Sequence, residues 1–199
     1  MGAWGVYDDE NDNVMDLWMD YKYYYLDEVK EELKKNPDKY NSLFRKIKYP
    51  KKLPVFDRAY FIAEHKAKNV KTRRREIYKK LLKFARRNKY DKNVIGLTLA
   101  AIKFFGDLPY SDPLATSIKS INLRRIKLNK TKIPSDFPIT LVKIAKKTNE
   151  RILKNFDNSE EWRNPKKRIK ALENQNEFFD NVIKYLNKSK SSSRKKSKK

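Results

Sequence analysis

The segment from Val94 to Phe104 limits the possible folds more than any other part of the sequence. Wound into a helix, it leaves almost no polar face. Asp91 precedes it as a candidate N-cap, and Gly106 follows it as a helix-ending glycine. Because a helix that is apolar on nearly all sides must be covered by other elements, we expect this one to be central and buried.

Amphipathic helices are predicted on both sides of the central segment, from apolar residues that recur every three or four positions. The first is expected to begin after an Asp12 N-cap and to run without a break to Pro37, with Val14, Leu17, Trp18, Tyr21, Tyr25, Val29 and Leu33 on its apolar face. Further helices are predicted after Pro37, at 56–67, at 70–88, from Asp112-Pro113, after Asp136, near 159–162 and after Pro165. Residues 121–128 fit either a strand or a helix end. We therefore predict an all-α fold, a single compact domain of about seven or eight helices over residues 1–187, followed by a disordered Lys/Ser-rich tail at 188–199.

Several functional classes lack support in the sequence. The chain has no cysteine, only one histidine (His65) and four glycines, so the common catalytic sets, metal sites and phosphate loops cannot be assembled. Asp9, Asn11 and Asn13 match the start of an EF-hand loop, but Val14 stands where that loop needs glycine. We expect no catalytic residue, metal or cofactor, although Asp, Glu, Lys and Tyr chemistry leaves no spacing signature, and an unrecognised enzyme stays an alternative.

The location of the protein is also constrained. No apolar run is long enough to cross a membrane, and the acidic first residues are unlike a signal peptide. We expect an intracellular protein without a membrane partner.

The net charge of +24 is distributed unevenly along the chain. Residues 1–33 carry 2 basic and 10 acidic side chains, whereas residues 34–90 carry 21 basic and 4 acidic ones. Residues 188–199 add 7 basic side chains and no acidic one. A basic segment and a basic tail favour a polyanionic partner such as nucleic acid. The alternative is a compositional bias of an AT-rich genome, which explains scattered lysines better than clustered arginines.

The candidate polyanion-binding residues lie on the predicted helix at 70–88 and in the tail. They are Lys71, Arg73, Arg74, Arg75, Lys79, Lys80, Lys83, Arg86, Arg87 and Lys89 in the helix, and Arg194, Lys195 and Lys196 in the tail. With Ile77, Leu81 and Leu82 turned inward, the helix cations form a continuous stripe, and nearby Tyr78 or Tyr90 offers stacking to single strands. The other interpretation is a solvated face that partly neutralises the acidic first helix.

The opening residues carry a resemblance to a known family. Met1-Gly-Ala-Trp-Gly5, Glu10-Asn11-Asp12 and Asp16-Leu17-Trp18 resemble the family catalogued as domain of unknown function 4259, and Ala100-Ala101 and Ser159-Glu-Glu-Trp162 are similar to its later segments. The resemblance implies an all-helical fold without an established activity, in which Trp4, Gly5, Asn11 and Asp12 form a structural lock. The chain departs from the family at Asp9, in its basic charge and in residues 34–90. Its Lys/Asn/Tyr-rich style is similar to proteins of giant DNA viruses, which would place it in the host cytoplasm or the virion.

The functional expectation is a non-enzymatic protein that binds nucleic acid or another polyanion largely without sequence specificity. The main alternative is a protein-interaction or virion-type structural module whose lysines reflect composition alone.

Overall fold

The computed structural model describes the backbone of residues 12–46, 55–108, 133–156 and 165–196, and their side chains except 45–46, 55–57 and 190–196. Within these ranges the chain forms eight α-helices and no strand. The helices are α1 (Asp12–Lys22), α2 (Leu26–Lys35), α3 (Asn41–Lys46), α4 (Val55–Asn69), α5 (Lys71–Arg87), α6 (Lys92–Phe105), α7 (Ile139–Lys154) and α8 (Pro165–Lys196). The prediction of an all-α fold is confirmed.

The chain divides into two helical units. The middle unit is Met19–Ile77, and the terminal unit consists of the described residues on either side of it. Both boundaries fall inside helices, so α1 and α5 each contribute residues to both units.

Helix α6 is the core of the terminal unit, as its sequence predicts. Every residue from Val94 to Phe105 is buried, and α7 packs against α6 and α8. The carboxylate of Asp91 accepts a hydrogen bond from the backbone N–H of Asn93 (2.8 Å), which confirms the predicted N-cap. Because the first N–H groups of a helix have no partner within it, this bond satisfies one of them at the buried start of α6.

Gly106 ends α6, but close packing rather than a left-handed backbone explains the glycine. Its φ is −90°, whereas the left-handed φ of 52° belongs to Asp107. A Cβ atom on Gly106 would lie 2.7 Å from the carbonyl oxygen of Ile102 and 2.8 Å from Cγ1 of Ile133. Those separations are well inside van der Waals contact, so a side chain at Gly106 requires its neighbours to move.

An aromatic cluster surrounds the end of α6 in the terminal unit. The Phe105 ring lies with its centroid 4.9 Å from Tyr78, 6.3 Å from Trp18 and 6.4 Å from Phe137, in edge-to-face arrangements. Phe104 also contacts Trp18, at 5.4 Å. Edge-to-face ring pairs add to the stabilisation that burial provides. The cluster therefore joins α1, α5, α6 and the segment before α7.

The middle unit is held by α2 packed against α4. Its core is formed by Val29, Leu33, Ala59, Ile62 and Ala63. The rings of Tyr23 and Tyr60 meet edge to face at 4.8 Å beside this core. Val29 and Leu33, which the sequence predicts on the apolar face of the first helix, are thus buried in this core.

The predicted first helix is not continuous. The structure divides it into α1 and α2 at residues 23–25, although no proline or glycine lies there. The break places Tyr23 against Tyr60 and directs the Tyr25 hydroxyl to the backbone carbonyl of Arg73, so tertiary packing outweighs local helix preference. Asp12 is the first residue of α1 instead of the N-cap before it.

The start of α7 also differs from its prediction. The sequence predicts Asp136 as the N-cap of this helix, but α7 begins at Ile139 and Pro138 occupies the preceding position. A proline disfavours helical conformation in the residue before it, here Phe137, so a helix cannot begin directly after Asp136.

The last helix is longer than predicted. Residues 188–196, expected to be disordered, continue α8. Pro165 fits the first position of this helix, and no proline or glycine follows it. The helix predicted from Asp112-Pro113, the segment 121–128 that fits a strand or a helix end, and the helix predicted near 159–162 lie outside the described residues.

Candidate polyanion-binding surface

Helix α5 has the two-sided character that its sequence predicts. Ile77, Leu81 and Ala85 are buried on one side. The basic residues of the other side are exposed or half-buried; the exposed ones are Lys71, Arg75, Lys79, Lys80, Lys83, Arg86 and Arg87. The predicted candidates are therefore brought onto one helix surface, but they do not share one environment.

In the N-terminal part of α5, within the middle unit, acidic residues of α2 neutralise part of the positive charge. The Arg73 guanidinium lies 2.9 Å from a Glu28 carboxylate oxygen, and 4.7 Å from the centroid of the Tyr25 ring. Arg74 donates a hydrogen bond to the backbone carbonyl of Lys68 (3.1 Å). Arg73 and Arg74 are thus engaged within the protein, which agrees with the neutralising interpretation for this part of the stripe.

The acidic face of α2 is the centre of a small ion-pair network. Lys66 Nζ lies 3.0 Å from Glu28 and 2.9 Å from Glu32, and Lys39 Nζ lies 3.1 Å from Glu32. The Tyr40 hydroxyl also donates to Glu32. Partial burial alone raises the pKa of Glu32, but the hydrogen bonds from Tyr40, Lys66 and Lys39 together lower it to about 2. Glu32 therefore stays charged well below the pH at which an ordinary glutamate takes up a proton.

This network predicts an acid-dependent loss of stability. The pKa of Glu32 is about 2 in the folded protein against an ordinary 4.5, so its contribution is complete above about pH 5 and is lost as the pH falls toward 2. We expect Glu32→Gln to remove about 1–2 kcal/mol of stability at neutral pH, allowing for solvent screening, and to flatten the decline between pH 5 and 2. Urea unfolding at a series of pH values measures both effects.

Glu31→Gln is the matched control, because Glu31 is an exposed neighbour on the same helix that pairs only with Lys34 among the described residues. Solvent screens that pair, so the acid dependence of this variant should follow the unmodified protein. If the free energy of unfolding falls in parallel with pH for Glu32→Gln and the unmodified protein, Glu32 is not the source of the acid dependence.

The C-terminal part of α5, in the terminal unit, has a different environment. Lys79, Lys83 and Arg87, separated by four residues, form an exposed row that we call the α5 ridge. Successive members are about 6 Å apart along the helix axis. Residues 77–87 contain no acidic side chain, and in the described part of the chain no ion pair joins the ridge or the neighbouring Arg86 to a carboxylate. This charge faces solvent.

A second basic row lies on α7, where the sequence prediction did not place one. Lys143, Lys147 and Arg151 are exposed at four-residue spacing, and we call them the α7 ridge. The nearby carboxylates of Glu150 and Asp180 both contact Lys146, at 3.2 and 2.8 Å. The four-residue spacing of these three cations in the sequence could have predicted this row, but the denser basic cluster at 71–89 drew the prediction to α5 instead.

Tyr90 follows α5 and contacts the α7 ridge. It lies three residues after α5, and the Arg151 guanidinium is 4.1 Å from the centroid of its ring. Lys89 Nζ lies 5.1 Å from the same centroid. Thr148 of α7 donates a hydrogen bond to the backbone carbonyl of Lys89 (2.6 Å). The loop that follows α5 and the middle of α7 are therefore in direct contact at this aromatic residue.

The remaining predicted residues fall in several places. Arg194, Lys195 and Lys196 occupy the last turn of α8, and their side chains lie outside the described ones. Trp18 is buried at 1% exposure within the aromatic cluster, whereas Asp16 is exposed. Trp4, Gly5 and Asn11 lie outside the described residues, so the structural lock and the family resemblance remain predictions.

His65, the single histidine, lies beside Phe61, and its Nδ1 is within hydrogen-bond distance of Asn69 (3.0 Å). No three acidic or histidine side chains are grouped to hold a metal ion in the ranges that the structure covers. None of the described helices is both long enough and apolar enough to cross a membrane.

Comparisons with models of known protein families, with curated proteins and with solved structures find no match for this chain.

Proposed function

We propose that this protein binds nucleic acid, largely without sequence specificity, through the α5 and α7 ridges. The observation that carries the proposal is the exposed α5 ridge, whose lysines and arginine have no carboxylate partner among the described residues. Exposed cations without a carboxylate partner can be neutralised by the phosphates of a nucleic acid. Each phosphate contact releases counterions into the solvent. The binding free energy then comes from charge and not from base identity.

The two ends of α5 differ in a way that supports the proposal. Arg73, near its start, is paired with Glu28, whereas the second half of the helix carries only basic charge. If the lysines reflected composition alone, we would expect acidic side chains to be interspersed equally along the exposed face. Contact with the α7 ridge at Tyr90 extends the basic surface over a second helix.

A salt titration tests the proposal. The purified protein is mixed with fluorescently labelled single-stranded and duplex oligonucleotides of unrelated sequences, and binding is followed by anisotropy. With four to six phosphates contacted, raising the salt from about 50 to 200 mM should weaken duplex binding by roughly 100- to 1,000-fold. Different sequences of one length should differ by about threefold or less. No binding at 50 mM salt, or binding indifferent to salt, contradicts the proposal.

A further inference from the structure

Tyr90 is an unusual residue for a basic surface because its ring is both exposed and held in place. Its exposure is 62%, the highest among the large hydrophobic residues that the structure describes as exposed. Exposing most of an aromatic ring to water costs free energy unless another group covers the ring. Two cations lie near the ring, Arg151 at 4.1 Å and Lys89 at 5.1 Å from its centroid.

The loop that carries Tyr90 is fixed at every neighbouring residue. The Asn88 side chain donates to the backbone carbonyl of Phe84 (3.0 Å), and the Asp91 N–H donates to the carbonyl of Asn88 (2.8 Å). Thr148 holds the carbonyl of Lys89 from α7, and Asp91 caps α6. The ring is therefore presented in one position before any ligand arrives, which lowers the entropic cost of binding.

An exposed ring beside a guanidinium and an ammonium matches one ligand chemistry in particular. A base of a single strand can stack on Tyr90, because the faces of an unpaired base are not covered by neighbouring base pairs. The guanidinium of Arg151 offers a second planar surface and a cation for the adjacent phosphate. In a duplex the base faces are buried in the stack, so the ring has nothing to contact and only the two ridges act.

We infer that Tyr90, with Arg151 and Lys89, is a stacking site for an unpaired base, and that the protein prefers single-stranded nucleic acid. This inference rests on the proposed function and assigns its substrate class. Stacking on tyrosine does not distinguish deoxyribose from ribose, so single-stranded DNA and RNA should both use the site.

The test compares Tyr90→Leu with the unmodified protein on oligo(dT), oligo(U) and a duplex of equal length. Leucine keeps an apolar side chain but removes the aromatic face, so single-strand affinity should fall about 5- to 100-fold. Duplex affinity should change by about twofold or less. Tyr90→Phe, which keeps the ring, should bind single strands nearly as the unmodified protein does.

Tyr24→Leu is the matched control, since Tyr24 is a second exposed tyrosine (45%) whose chain neighbours are not basic. It should leave every affinity unchanged. A measurement on the unmodified protein is independent of variant folding: photo-crosslinking of an oligonucleotide containing 5-iodouracil should label Tyr90, as mapped by mass spectrometry.

The outcomes separate the two proposals. If the unmodified protein binds duplex and single strands but Tyr90→Leu loses neither, or loses both equally, the stacking site is overturned while the proposed function stands. Absence of the Tyr90 crosslink in a bound complex also overturns it. If the unmodified protein binds no nucleic acid at low salt, both proposals are overturned together.

Discussion

Replacing Lys79, Lys83 and Arg87 with glutamine is expected to weaken nucleic-acid binding by about 100-fold or more near 0.1 M salt. Each phosphate contact contributes nearly one unit to the slope of log affinity against log salt concentration, so the slope should fall by about 3. Glutamine is a good helix former, and these side chains are exposed, so the helix should remain. Anisotropy titrations at several salt concentrations measure the affinity and the slope together.

The control for this variant removes the same charge elsewhere. Lys30, Lys34 and Lys35 lie on α2, where Lys30 is paired with Asp27 and Lys34 with Glu31. Their replacement with glutamine should change affinity by about threefold or less and leave the salt slope unaltered. If both triple variants lose affinity equally, binding depends on net charge alone and the α5 ridge is not the site. Circular dichroism confirms that helical content is kept in each variant.

The second large effect is expected from Phe105→Ala in the aromatic cluster. Phe105 is 2% exposed and contacts the rings of Trp18, Tyr78, Phe104 and Phe137. Removing the Phe105 ring loses its burial and its edge-to-face contacts with four other rings. It also leaves a cavity, which the surrounding large side chains cannot easily close. We expect the free energy of unfolding to fall by about 3–5 kcal/mol, a large share of the stability of an ordinary domain. Urea unfolding followed by circular dichroism measures it.

Phe84→Ala is a matched change on α5, at a phenylalanine that is only half-buried. Because less apolar surface is lost and solvent can occupy the vacated space, its cost should be less than half that of Phe105→Ala. Equal losses for the two variants would show that Phe105 is not the centre of the cluster. Phe105→Leu, which fills most of the volume, should recover part of the stability.

Local signals were sufficient to predict most of the helices. The segment at 94–104 predicted a buried helix, because a helix that is apolar on nearly all sides must be covered by other elements. Asp91 correctly marked the start of this helix. Apolar spacing in α5 correctly predicted the burial of Ile77 and Leu81, but Leu82 is only half-buried, and Tyr78, predicted to offer stacking, is buried. The break between α1 and α2 could not be predicted, because it depends on Tyr23 meeting Tyr60, 37 positions later in the chain.

The candidate site was only partly accessible from sequence for the same reason. The cations of α5 are contiguous and therefore visible, but the pairing of Arg73 with Glu28 joins residues 45 positions apart. The proximity of Tyr90 to Arg151 depends on how α7 packs, which no local pattern encodes. Sequence reasoning could count the charges, whereas only the fold shows which of them are already paired.

The direction in which the α7 ridge points is decided by one side-chain amide on the interior side of that helix, Asn149, and by its partners on α8. Asn149 donates to the carbonyl of Leu172 (2.7 Å) and to Asn176 (2.8 Å), and accepts from Gln175 (2.7 Å), all on α8. Asn149 is fully buried, so sliding α7 by one turn, or rotating it about its axis, would deprive its side-chain amide of these partners at a cost of about 1–3 kcal/mol. Apolar contacts alone tolerate several alignments of two helices, whereas these bonds permit one. The outward orientation of Lys143, Lys147 and Arg151 is thus encoded by residues that no ligand touches.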